Sequence, residues 1–247
     1  MVSSEFSDPR LVAVYDTLNA YDPNTQPHFY RELAQDLGAK RILDIGCGTG
    51  LITRELASLG FDMIGVDPAP LMIEAARQRP NAQRVRWIVG PATCLGRANA
   101  DLAIMTGHVA QFFLDDTAWL RALRVIHGAV RPGGHFAFET RNPAVDSWSG
   151  WTGANRVMAR DPIAGAIEAE SNTSAIRDGV ATGTISYRFL ASGDELTSDT
   201  HLRFRTELEL YALLNEAGFA LQHLYGDWNR RPVTTRSPEL IVVAQRR

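Results

Sequence analysis

The chain has 247 residues, is 45% hydrophobic and 9% aromatic, and carries a formal charge of −3. That length supports one large domain with a real core, and the weak acidity excludes the basic footprint of a nucleic-acid binder. Two cysteines exclude a disulfide framework, and no apolar run is long enough to span a bilayer.

A reducing cytoplasm is the expected compartment. The first ten residues hold no basic start followed by an apolar run, so no export signal is expected there. Lys40 is the only lysine beside many arginines, a bias we read as coding preference because no arginine cluster accompanies it.

Residues 1–26 read as a cap over a ligand crevice, or as a helix packed on a sheet edge. From 27 to 142, apolar strands alternate with amphipathic helices, the pattern of βαβ units in a parallel sheet. The predicted strands are Arg41–Ile45, Phe61–Val66, Val85–Val89, Asp101–Met105 and His135–Glu139. Helices are predicted over Thr49–Leu59, Ala69–Gln78 and Thr117–Val130, the last stopped by Arg131-Pro132-Gly133-Gly134.

The rhythm changes over 143–205. Short alternating runs at Arg156–Ala159, Ile167–Ile176, Thr184–Leu190 and Leu196–Arg203 predict an inserted antiparallel sheet. A helix over Glu207–Ala217, ended by Gly218, and strands Leu221–Tyr225 and Leu240–Ala244 resume the α/β pattern. The expected fold is a doubly wound, seven-stranded, mostly parallel α/β sheet. Its core is 27–142 plus 206–247, and 143–205 is a lid or a dimerisation region.

Ile42-Leu-Asp-Ile-Gly-Cys-Gly-Thr-Gly50 places three glycines between a strand and a helix, the context of a cofactor-binding loop. The dinucleotide fingerprint wants a further glycine where Leu51 stands, so that spacing fails. Asp44, just before the glycines, would repel a pyrophosphate and suits a ligand with an ammonium group. Asp67 ends the second strand about 20 residues on, where a carboxylate can accept ribose hydroxyls, or can simply cap the helix that follows Pro68.

This spacing resembles the class I S-adenosylmethionine-dependent methyltransferases of the small-molecule type. The resemblance implies a Rossmann-like fold in which Gly46, Cys47, Gly48 and Gly50 cradle the methionine part, with Asp44 near its amino group. Asp67 and Pro68 would hold the ribose. The adenine motif departs from the family: Pro91 stands at the usual acidic position, leaving the Ala92 backbone or the Thr93 hydroxyl to meet the adenine edge. Tyr15 and Tyr21 resemble cap tyrosines that close over the sulfonium, or they are core packing.

The fourth strand runs into Thr106-Gly107-His108. Ligands bind beyond the carboxyl ends of such strands, so His108 is a candidate base, or its backbone alone lines the cofactor pocket. Glu139 or Asp227 could hold a cationic amine, Arg141 or Arg231 a carboxylate, and Trp228 an apolar wall. Salt bridges and helix caps are the plainer reading of each. Trp148 and Trp151 open the insertion. Histidines without paired spacing predict no metal.

The expected function is methyl transfer from S-adenosylmethionine to oxygen or nitrogen of a small molecule, releasing S-adenosylhomocysteine. A binder of the same cofactor with a non-methylating or regulatory role is the alternative, and a nicotinamide oxidoreductase is disfavoured by Leu51 and Asp44. No nucleic-acid or membrane partner is expected, and a homodimer could form through the inserted sheet.

Overall fold

β1 (Arg41–Ile45) is buried at every position after its first, as a central parallel strand covered on both faces must be. The computed structural model describes residues 3–20, 22–145, 155–173 and 176–247. Tyr21, Trp148 and Trp151 lie outside the described residues. β2 (Asp62–Asp67), β3 (Val85–Val89), β4 (Ala100–Met105), β5 (Val130–Arg141), β10 (Phe219–Tyr225) and β11 (Glu239–Arg246) complete a seven-stranded sheet in the order β10-β11-β5-β4-β1-β2-β3. β11 runs antiparallel to both β10 and β5, and the other pairs are parallel. The strand order reverses between β1 and β4, and the crevice at their carboxyl ends is where a doubly wound sheet binds its ligand.

Each face of the sheet is covered. On one side, α6 (Asp116–Ala129) and α7 (Glu207–Glu216) bury Trp119, Leu123, Leu210 and Leu214 against Phe136, Phe138 and Phe219. On the other, α3 (Gln26–Asp36) and α4 (Leu51–Ser58) bury Phe29, Tyr30, Leu33, Ile52 and Leu56 against Ile42, Met63 and Ile104. α5 (Pro70–Arg77) follows β2.

The glycine-rich cluster predicted to stop the helix does stop it, but β5 starts at once and is longer than expected. Pairing to β4 jumps from Ala100 opposite Val130 to Leu102 opposite His135, so Arg131–Gly134 form a bulge within the strand. Gly134 permits it, since a Cβ there would stand 2.9 Å from the Asp101 carbonyl oxygen. α7 is closed by a capping box: Thr206 Oγ1 accepts from Glu209 N and Glu209 Oε2 accepts from Thr206 N (2.7 Å). Thr206→Ala is expected to cost about 1 kcal/mol of stability, read from the shift in urea midpoint at constant slope.

The inserted sheet comprises β6 (Asn155–Asp161), β7 (Gly165–Thr173), β8 (Val180–Phe189) and β9 (Glu195–Arg203), all antiparallel. Alternation gives it one apolar face, where Ile167, Tyr187 and Phe189 pack on Leu11 and Val14 of α2 (Pro9–Leu18). Arg156, Glu168, Glu170, Arg188 and Glu195 form an ion-pair lattice. The other side of α2 turns Val12 toward Ala69 and Met72 beside α5. α2 and the preceding turn α1 (Ser4–Ser7) are therefore wedged between the inserted sheet and the α/β core.

Candidate active site

The glycine loop leaves β1 with Gly46, Gly48 and Gly50 all at positive φ (72°, 54° and 71°). At two of them crowding adds to the conformational demand. A Cβ on Gly46 would stand 2.6 Å from Val109 Cγ1, and one on Gly50 would enter the Trp87 ring. Gly46 N and Cys47 N both donate to the Val66 carbonyl at 2.8 and 3.2 Å, which binds the loop to β2.

Two carboxylates face this loop from adjacent strand ends. Asp67 accepts from Gly48 N (2.9 Å) through Oδ2 and from Ala69 N (2.8 Å) through Oδ1, and burial raises its pKa against those bonds. Asp44 is 1% exposed. Its Oδ2 accepts from Thr53 Oγ1 at 2.6 Å, while Oδ1 is buried with no partner among the described residues. Burial pushes Asp44 up to about 7, with Asp67 and Glu139 adding to the rise against the Thr53 bond.

α2 approaches the same loop. Asp16 Oδ1 accepts from Thr49 Oγ1 (2.5 Å), and Arg79 stands 3.4 Å from its other oxygen. Tyr15 lies 5.9 Å, ring to ring, from Phe6, which in turn lies 5.6 Å from Phe112 beyond β4. Burial pushes the Tyr15 hydroxyl far above its ordinary pKa, so it stays protonated.

Across the crevice, Glu139 on β5 is fully buried and holds the end of β4. Its Oε1 accepts from Gly107 N (2.5 Å) and His108 N (3.1 Å), and its Oε2 accepts a very short bond from the Tyr30 hydroxyl. His108 has φ 60°, and its Nε2 lies 2.9 Å from Glu239 at the start of β11. Arg141 Nη1 donates to Gln111 Oε1 (2.8 Å), and Gln111 Nε2 donates to the Arg203 carbonyl (3.3 Å), tying the crevice to the end of β9.

A family model for a methyltransferase domain matches residues 42–134, from β1 to the bulge of β5. Those residues are similar to a methyltransferase domain. A ubiquinone biosynthesis O-methyltransferase of Acinetobacter baumannii (strain ACICU) is 31% identical over 119 residues, 45% of this chain and 49% of that protein. The chain thus spans about half the length of the curated relatives it matches. The whole fold is that of an S-adenosylmethionine-dependent methyltransferase from Clostridium acetobutylicum ATCC 824, with TM-score 0.79, 15% identity, and 96% of this chain and 98% of that one covered. An amino pentose methyltransferase from Micromonospora echinaspora, solved with S-adenosylmethionine bound, aligns with TM-score 0.72 and 20% identity over 95% of each chain.

The residues singled out from sequence divide into two groups. Asp44, the glycines, Asp67, Tyr15, Thr106, Gly107 and His108 gather about one crevice. Ala92 and Thr93 sit in the short 3₁₀ turn after β3, Thr93 exposed. The Cys47 thiol is turned to the core, where a Cβ on Gly65 would meet Sγ at 3.0 Å. Burial raises its pKa, leaving only its backbone for the loop.

The second group is engaged elsewhere. Glu139, expected to hold an acceptor amine, spends its oxygens on the loop amides and Tyr30. Asp227, expected in the same role, accepts from Asn229 N (2.9 Å) and Arg231 N (3.1 Å), the bonds of a tight turn. Arg231 is 75% exposed and its nearest acid is Asp227 at 3.8 Å. Trp228 packs on Phe29 and Tyr30 of α3 at 5.7 and 6.3 Å.

Asp16, Gln111 and Glu239 were not anticipated. Each is distant in sequence from the motif it touches, and only Asp16, adjoining Tyr15, lay beside a residue already singled out. Among the described residues no three His, Cys, Asp or Glu side chains gather as a metal site, and no helix is long and apolar enough to cross a membrane.

Proposed function

We propose that this chain transfers a methyl group from S-adenosylmethionine to an oxygen or nitrogen of a small molecule. The observation that carries the reading is Asp44 Oδ1, a buried carboxylate oxygen without a partner beside a glycine loop. Such an atom is costly unless a cationic donor meets it, and the cofactor's ammonium is that donor. Asp67 keeps lone pairs beyond its two backbone bonds, enough for two ribose hydroxyls. The exposed turn at Ala92 and Thr93 is left for the adenine edge.

The bound sulfonium supplies an already electrophilic methyl carbon. The chain's task is then to align the acceptor, keep water out and take up its proton. Alignment can supply about 7–11 kcal/mol in favourable cases. Tyr15 and α2, backed by the inserted sheet, form the cover in this reading, and His108 is the base. An unidentified small molecule is the acceptor, and the amino sugar substrate of the Micromonospora echinaspora protein makes an amine worth testing first.

The test is direct: calorimetry with S-adenosylmethionine, then S-adenosylhomocysteine release with a pool of hydroxyl and amine acceptors. Binding followed by acceptor-dependent release supports the proposal; binding without release on any acceptor favours a regulatory or non-methylating role. His108→Ala is expected to lower turnover about 100-fold while leaving cofactor affinity within about twofold, because a general base acts on the acceptor. Equal losses of both would remove His108 from that role.

A further inference from the structure

The side chain of His108 is not free to rotate in the crevice. Its Nε2 lies 2.9 and 3.1 Å from the two oxygens of Glu239, and the two side chains are only 14% and 16% exposed. The backbone beneath is held as well, since the N–H groups of Gly107 and His108 both donate to Glu139. Nδ1 has no hydrogen-bond partner among the described residues.

Topology explains why an acid arrives here. β11 runs against the other strands, so its first residue, not its last, reaches the carboxyl edge of the sheet. Glu239 pairs in register with Arg141 on β5. The charges around the imidazole are therefore Glu239 from β11, with Glu139 and Arg141 from β5, and the neutral Tyr30 hydroxyl from α3 lies beside Glu139.

We propose that Glu239 is a positioning residue for His108, fixing the neutral ring with its proton on Nε2 so that Nδ1 is the atom that takes the acceptor's proton. A carboxylate accepts but cannot donate, so the nitrogen facing it must carry hydrogen, and the other nitrogen keeps its lone pair. When the acceptor's O–H or N–H proton moves to Nδ1, the ring becomes an imidazolium. Its new charge is then met by Glu239 already in hydrogen-bond contact, with no reorganisation. The same carboxylate holds the ring plane, and so directs the Nδ1 lone pair. The inference rests on the methyl-transfer reading for the identity of the proton donor, but the tautomer and its partner are properties of the protein alone.

The experiment uses the full chain labelled with ¹⁵N-histidine, without any ligand, and His108→Ala to assign the resonance. The wild-type protein is expected to show a His108 Nε2–H proton protected from water exchange, with Nδ1 unprotonated. Glu239→Gln keeps a side-chain oxygen that accepts and is expected to retain the resonance. Glu239→Leu is expected to lose it through rapid exchange. On whichever acceptor the release assay identifies, Glu239→Leu should lower kcat about 10- to 100-fold without moving cofactor affinity, and Glu239→Gln should recover most of it. A His108 protonated on Nδ1 in the wild type, or Glu239→Leu with unchanged exchange and turnover, overturns the proposal. If calorimetry shows no cofactor binding, methyl transfer fails while the spectrum still decides the Glu239–His108 pair.

Discussion

Asp67→Ala is expected to weaken S-adenosylmethionine binding about 10²- to 10⁴-fold in calorimetry. The carboxylate would accept both ribose hydroxyls, and hydrogen bonds to a charged group contribute about 1.5–3 kcal/mol each. Two of them amount to about 3–6 kcal/mol, and each 1.4 kcal/mol is tenfold in affinity. The substitution also leaves the N–H groups of Gly48 and Ala69 without their acceptor, so the loop between β1 and β2 loses its tie. Asp67→Asn separates the two effects. Its amide oxygen can still accept one of the two backbone bonds while its NH2 leaves the other N–H without an acceptor, so it should lose less stability than Asp67→Ala yet bind the cofactor poorly. Unchanged affinity in a folded Asp67→Ala protein would remove the ribose from this strand end.

Asp44→Asn is expected to move stability and binding in opposite directions. Burial raises Asp44 from its ordinary 3.8 to about 7, so folding takes up a proton between those values. For a carboxyl group raised in the folded state, the cost is absent below the unfolded pKa. It grows as pH rises and is complete above the folded one. The asparagine variant should therefore match the wild type near pH 4 and exceed it by about 1–3 kcal/mol at pH 8, the cost of an unsatisfied buried group.

Cofactor affinity should fall at the same time, about 100-fold, because Oδ1 loses the charge that would meet the ammonium. Near pH 7 the wild type should release about half a proton on binding, seen as a dependence of binding enthalpy on buffer ionisation, and Asp44→Asn should release none. A variant that is both more stable and equally avid would mean that the orphaned oxygen has no ligand.

Periodicity and punctuation in the chain determined the α/β core, the seven strands, the place of the inserted sheet and the glycine loop. Those signals are local: a buried parallel strand must be apolar, and a loop with Val109 and Trp87 pressed against it must be glycine at 46 and 50. The Asp44 and Asp67 positions were legible for the same reason, since each is set by its distance from a strand end.

The far side of the crevice was not legible, because its chemistry depends on which strand lies beside which. Glu139 reads as a free acid until Tyr30, 109 residues away, and two backbone amides are seen to occupy it. Asp227 reads the same way until two amides of its own turn are seen to occupy its Oδ1. Glu239 carries no sequence signal at all. It becomes a partner of His108 only because β11 is antiparallel and lies next to β5, bringing the beginning of one strand to the ends of the others. Alternation determined which residues are buried; the pairing order of the strands alone decided which buried charges meet.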